Sequence, residues 1–155
     1  MFESCLQAGL HQSGIPATDI DVAHVGNFVA DLFTGQSQLN GFFGHVEPAL
    51  ADIPTSRHEA ACASGSIALL SAMRDLESGH YQLACVMGIE LMRNVDSAVG
   101  ADYLGSAAWV GKETQGCRYV WPKLFSDLLL HYQQRYGLEP HYLQEIAKVN
   151  FANAK

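Results

Sequence analysis

The stretch Pro54-Thr55-Ser56-Arg57-His58-Glu59-Ala60-Ala61-Cys62-Ala63-Ser64-Gly65-Ser66-Ile67-Ala68-Leu69-Leu70 decides how the rest of the chain is read. Pro54 to Ala61 predicts a short extended segment entered through a proline. Beyond it Ile67, Leu70, Met73 and Leu76 recur at helical spacing until Gly79. Cys62 falls on the corner between the two. A thiol at a helix N-terminus meets unpaired N–H groups and the positive end of the helix dipole, a setting that favours thiolate. Its own N–H is placed to face a developing oxyanion. Ala61, Ala63, Ser64, Gly65 and Ser66 are all small, which leaves room for a bulky acyl group to reach the sulfur. Cys62 is therefore the candidate nucleophile. The competing reading is structural: free cysteines are often buried, and Ala/Ser/Gly runs are common where a helix packs closely on a sheet.

Working outward, Ser78-Gly79 reverses the chain and Leu83 to Met87 is an unbroken apolar run. Strand, helix, reversal and strand together predict a βαβ crossover, with the second strand covered on both faces. Gly88-Ile89-Glu90 then leaves the sheet at the strand's C-terminal end, where α/β folds commonly build sites. Glu90 has two readings, as a lining group of such a site or as an acid satisfying N–H groups at a helix start.

Upstream, Phe2, Cys5, Leu6 and Leu10 form one face of a helix that Ser13-Gly14 and Pro16 end. Ile20 to Ala30 predicts a strand in which Gly26-Asn27 marks an end or a bulge. Leu32 to Leu50 reads as a loop or short helix, and His45 within it as a surface or capping residue. Downstream, Val95 to Val120 is glycine-rich without firm periodicity and predicts a functional loop or lid, in which Tyr103 and Trp109 are as readily its own small core. Two helices close the chain. One starts at Pro122 and ends at Gly137, and the next starts at Pro140.

Composition excludes several functions. The formal charge is −7 with nine Lys and Arg spread along 155 residues, which does not make a nucleic-acid surface. Cysteines at 5, 62, 85 and 117 form no C-x-x-C pair, so reduced thiols in a cytoplasmic setting are expected. Seven histidines include no close pair at ligand spacing, so no metal site is expected. No cofactor is expected either. No signal peptide and no apolar run of membrane length are apparent.

A longer ordered set of motifs adds to this reading. His58 to Ser66, Ser78-Gly79, Leu83-Ala84-Cys85-Val86-Met87-Gly88-Ile89-Glu90-Leu91-Met92, the earlier Ile20 to Phe28 and the later Tyr136-Gly137 and Val149 to Ala154 resemble the N-terminal half of a thiolase. The resemblance is closest to the sterol-carrier-protein-2-type thiolases and related acetyl-CoA acetyltransferases. It implies a layered α/β fold spanning residues 1–155 as a partial N-terminal domain, with a loop region about 93–120 that contacts the acyl-CoA. It implies an acyl-CoA acyltransferase working through an acyl-cysteine on Cys62, with CoA and acyl-CoA as substrates. It also implies a homodimer or higher oligomer in which the strand before the nucleophile pairs with its twin, and Glu90 lining the catalytic cavity. The family's activating histidine and second cysteine belong to its C-terminal half, beyond Lys155. A further strand would precede Met1 and lie inside the sheet. His58 is not made a partner of Cys62, since residues four apart on an extended chain are not in hydrogen-bond contact. The alternatives are a ketoacyl synthase of the same fold and a non-catalytic, thiolase-like subunit acting with a partner protein. The Gly88 to Met92 turn favours thiolase over synthase.

Overall fold

A computed structural model describes residues 1–154, which divide into one compact unit from Met1 to Leu104 and a second from Gly105 on. The first unit holds a parallel three-stranded sheet, β1 (Val22–Gly26), β2 (Thr55–His58) and β3 (Ala84–Gly88), in the order β2-β1-β3. Around it lie α1 (Phe2–Ser13), α2 (Ala30–Thr34), α3 (Phe42–Val46), α4 (Ser64–Glu77) and α5 (Ser97–Gly105). The crossover expected between β2 and β3 is present, with α4 as its helix.

Every residue of the central strand β1 is buried, because helices cover both of its faces. Ala23 and Val25 point to one face and pack in a core with Phe2, Leu6, Phe43, Leu50 and Met87. Phe2 meets Phe42 and Phe43 at ring-centroid distances of 5.5 and 5.1 Å, which ties α1 to α3. The alternate residues His24 and Gly26 point to the other face, where α4 lies. Gly14 stops α1 in the left-handed conformation, with its N–H donated to the Leu10 carbonyl.

Two expectations are adjusted. The strand read over Ile20 to Ala30 ends at Gly26, and Ala30 already opens α2. β1 is hydrogen-bonded to β2 from Ala23↔Thr55 to Gly26↔His58 and to β3 from Val22↔Ala84 to Gly26↔Gly88, so its own backbone groups are satisfied. α4 is where its periodicity predicts, but it turns Ser64, Ala68 and Ala72 to the sheet and leaves Ile67, Leu70, Met73 and Leu76 exposed. Small residues at every fourth position let the helix axis approach the sheet; large ones would hold it off.

Within the segment read as a loop, residues 97–105 form α5, and Phe33 packs edge-on against Tyr103. In the second unit α6 (Val120–Tyr136) starts two residues before Pro122 and is closed by Gly137, whose φ is 72°. α7 (Pro140–Asn153) starts at its proline as predicted. Among the described residues no helix is long and apolar enough to cross a membrane, and no three His, Cys, Asp or Glu residues are grouped to hold a metal ion.

Candidate active site at the β2–α4 corner

Between β2 and α4 the chain makes one 3-10 turn, Ala61–Ala63, with Cys62 at its centre and exposed. Ser64 builds the corner. Its buried hydroxyl accepts from the Ala60 N–H at 2.9 Å and donates to the Ala61 carbonyl at 2.7 Å. Glu59 takes the Ala61 N–H at 2.5 Å. These bonds hold Ala61 at φ 48°, a left-handed conformation that costs a non-glycine residue roughly 1–2 kcal/mol. The Cys62 N–H belongs to the opening turn, where N–H groups lack an intrahelical carbonyl.

The corner reaches over the C-terminal end of the sheet because Gly26 has no side chain. A Cβ there would stand 2.7 Å from the Gly65 Cα and 2.8 Å from the Ser64 carbonyl oxygen. Beside Cys62 an open pocket of about 530 Å³ is bounded by Gly88 and Glu90 from the end of β3, Asn27 and Phe28 from the end of β1, and Met92 and Leu104. Glycines 26, 65 and 88 are part of its wall.

Part of the pocket's wall is fixed by cross-ties between strand ends. The Asn27 amide donates to the Ile89 carbonyl at 2.6 Å, and the Phe28 N–H donates to Glu90 Oε2 at 2.7 Å. Asn27 Oδ1 accepts from the Ala30 N–H at 3.0 Å and from Arg57 at 2.7 Å. Arg57 also donates to the Phe28 carbonyl at 3.2 Å and to Asp31 at 2.7 Å, and its guanidinium holds the Asp31 carboxyl below the usual carboxylate range. Glu90 thus lines the pocket and satisfies an N–H, but that of Phe28 across the sheet rather than one of a following helix. Its Oε1 is buried with no hydrogen-bond partner.

Cys85 contrasts with Cys62. It borders a separate apolar cavity of about 280 Å³ between α1 and β3, lined also by Cys5, Leu10, Ile15 and Leu83. Burial pushes its thiol up, away from reactivity. Cys117 lies in the second unit.

His58 does not approach Cys62. It turns under α4 to His24 and Ser56, and burial together with the His24 charge lowers its pKa. Arg57 and the strained Ala61 carry no signal of this arrangement at the level of sequence. Asn27 is legible only as a strand end or a bulge, and an alanine does not advertise a positive φ.

The family described as "Thiolase, N-terminal domain" matches residues 1–127. The acetyl-CoA acetyltransferase of Methanothermobacter thermautotrophicus is 30% identical over 152 residues, which is 96% of this chain and 38% of that protein. The acetyl-CoA acetyltransferase of Methanocaldococcus jannaschii is 34% identical over 143 residues, 92% of this chain and 35% of that protein. Sterol carrier protein 2 of Gallus gallus is 25% identical over 154 residues, 96% of this chain and 27% of that protein. The chain thus spans well under half the length of these curated relatives.

Proposed function

The chain belongs to the thiolase family, whose N-terminal domain it matches, and on that premise we propose that it carries the nucleophile of an acyl-CoA acyltransferase acting through an acyl-cysteine on Cys62. The observation that supports this most is the exposed thiol set on a strained turn and lining a pocket that three glycines also line. In the proposed reaction the Cys62 thiolate attacks the carbonyl of an acyl-CoA, the bond to the CoA sulfur breaks, and CoA leaves as its thiol after taking a proton. In condensation the acyl group then passes to the carbanion of acetyl-CoA. In thiolytic cleavage the Cys62 thiolate instead attacks the 3-keto carbon of a 3-ketoacyl-CoA, the C2–C3 bond breaks, acetyl-CoA leaves once its carbanion has taken a proton, and the acyl group passes to a CoA thiol. A thioester exchanged for a thioester is close to balanced, which suits a reaction run in both directions.

No hydrogen bond reaches the Cys62 sulfur among the described residues. The family resemblance assigns the activating histidine and the second cysteine to a C-terminal half, and they form part of the proposal for the whole protein. The Cys62 N–H contributes one oxyanion donor. β2, which carries Thr55, Ser56, Arg57 and His58, is an edge strand of the described sheet, and this supports a homodimer in which that strand meets its twin. A cytoplasmic location fits four free cysteines.

The test is steady-state kinetics of the intact protein with a short 3-ketoacyl-CoA and CoA, set beside the same acyl group on a carrier protein. Parallel double-reciprocal lines with the CoA substrates are expected. Turnover only with the carrier-protein substrate would point to a ketoacyl synthase, and turnover with neither to a non-catalytic subunit.

A further inference from the structure

Beneath α4, away from the Cys62 pocket, lies a cluster of titratable groups that the proposed reaction does not use. His24 Nδ1 on β1, Ser56 Oγ and His58 Nε2 on β2 form a triangle with sides of 2.9, 2.9 and 2.8 Å. The register explains it: His24 pairs with Ser56 and Gly26 with His58, so all of these positions face α4. From α4, Asp75 Oδ2 stands 3.0 Å from His24 Nε2, and Ser71 Oγ stands 3.4 Å from His58 Nδ1. His24 is only 3% exposed, and its Nε2 is within ion-pair distance of Asp75 without being aligned for a hydrogen bond. The neighbour of His24 on the β3 side is Val86, which is apolar, so His24, His58 and Asp75 are the charges that meet here.

Three atoms so close together restrict the protons they can hold. With both rings neutral, a proton on His24 Nε2 faces Asp75, and the lone pair on Nδ1 accepts from Ser56 and His58. One added proton is accommodated: His24 becomes a cation beside Asp75, its Nδ1–H is donated to His58 Nε2, and the His58 proton moves to Nδ1, toward Ser71. A second added proton is not. It puts two N–H groups head to head across 2.9 Å on two like charges, with one carboxylate to balance them.

We infer that His24, Ser56, His58 and Asp75 form a proton-operated clasp between the sheet and α4, closed with one shared proton and opened by two, and that the clasp positions the Cys62 corner. The link to Cys62 rests on the reading of that residue as the nucleophile. Besides the buried face of Ser64, Ala68 and Ala72, α4 is held at its start by the Gly26–Gly65 approach and further along by Ser71 and Asp75 on the histidines. Cys62 lies on the only connection between His58 and that helix, so moving His58 off His24 moves the corner. His24 and His58 are positioning residues: neither touches the reacting sulfur.

Two measurements on the intact protein test this. The first follows the imidazole nitrogens of His24 and His58 by NMR from pH 8 to 4.5. The two rings are expected to take up their protons in two separate steps, with both rings reporting both steps. Two titrations, each seen by one ring alone, would overturn the clasp. The second compares the acid limb of acyl transfer in wild type and His58→Gln, which keeps hydrogen-bonding groups and removes the charge. The wild-type limb is expected to be the steeper, and the variant's to lose one proton of slope. Identical limbs would overturn the link to Cys62. If the wild type transfers no acyl group at any pH, the nucleophile assignment and that link both fail, and the NMR titration alone judges the clasp.

Discussion

Gly26 on β1 and Gly65 in the first turn of α4 pass each other so closely that a Cβ on Gly26 would stand 2.7 Å from the Gly65 Cα. Both partners are backbone, so neither can turn aside. Gly26→Ala is expected to lift the start of α4 from the sheet and cost about 1–3 kcal/mol, as overpacking does. Denaturant unfolding measures the loss. Gly65→Ala meets nothing within 4 Å and is expected to change stability by less than about 1 kcal/mol, so equal losses in the two variants would contradict the one-sided contact.

Ala61 holds a left-handed backbone without being glycine. Ala61→Gly relieves that strain and is expected to raise stability by up to about 1 kcal/mol, offset in part by the greater freedom of glycine in the unfolded chain. The loosened turn should at the same time slow acyl transfer at Cys62. A more stable variant with unchanged transfer would show that the strained turn has no part in placing the thiol.

Stability should depend on pH through His58. Its folded pKa lies below the ordinary value of 6.5, so the folded chain binds fewer protons than the unfolded one between those two values. The contribution is fully present above about pH 6.5 and is lost as the pH falls toward the lowered value. Asp31 acts in a separate, lower window. The Arg57 pair depresses its pKa, so its contribution persists until the pH falls below the ordinary aspartate value of 3.8 and through the folded one. Unfolding midpoints from pH 8 to 4.5 should therefore decline in wild type and decline less in His58→Gln. A flat wild-type profile would contradict the assignment.

The core beneath the sheet is anchored by Phe43, which is fully buried against Phe2. Phe43→Ala should cost about 3–5 kcal/mol, the range for a large aromatic truncated in a packed core. A loss under about 1 kcal/mol would mean that α3 is not part of the cooperative unit.

Much of the scaffold was legible from local patterns. Gly14 and Gly137 end helices where their sequence positions indicate, and the crossover from β2 through α4 to β3 follows from a change of period on either side of Cys62. What hydropathy misjudged was the orientation of α4. The stripe of Ile67, Leu70, Met73 and Leu76 is a correct signature of helix, yet the buried face is Ser64, Ala68 and Ala72, because close approach to β1 selects small residues over apolar ones. The corner at Cys62 was legible as a place and not as a geometry. The left-handed Ala61 depends on Ser64 and Glu59 bonding back to the turn, and the Asn27, Arg57 and Glu90 ties join residues about 30 to 60 positions apart. The His24–His58 contact was invisible for the same reason: only the register of β1 against β2 brings the rings together.

The central claim is that Cys62 is the thiol that takes up an acyl group. The most direct measurement is the intact mass of the protein after incubation with a short acyl-CoA, followed by peptide mapping of wild type and Cys62→Ala. The account predicts a gain of one acyl group, carried by the peptide that contains Cys62 and absent from the variant. No gain, or an acyl group on Cys5, Cys85 or Cys117 that survives in Cys62→Ala, would contradict it.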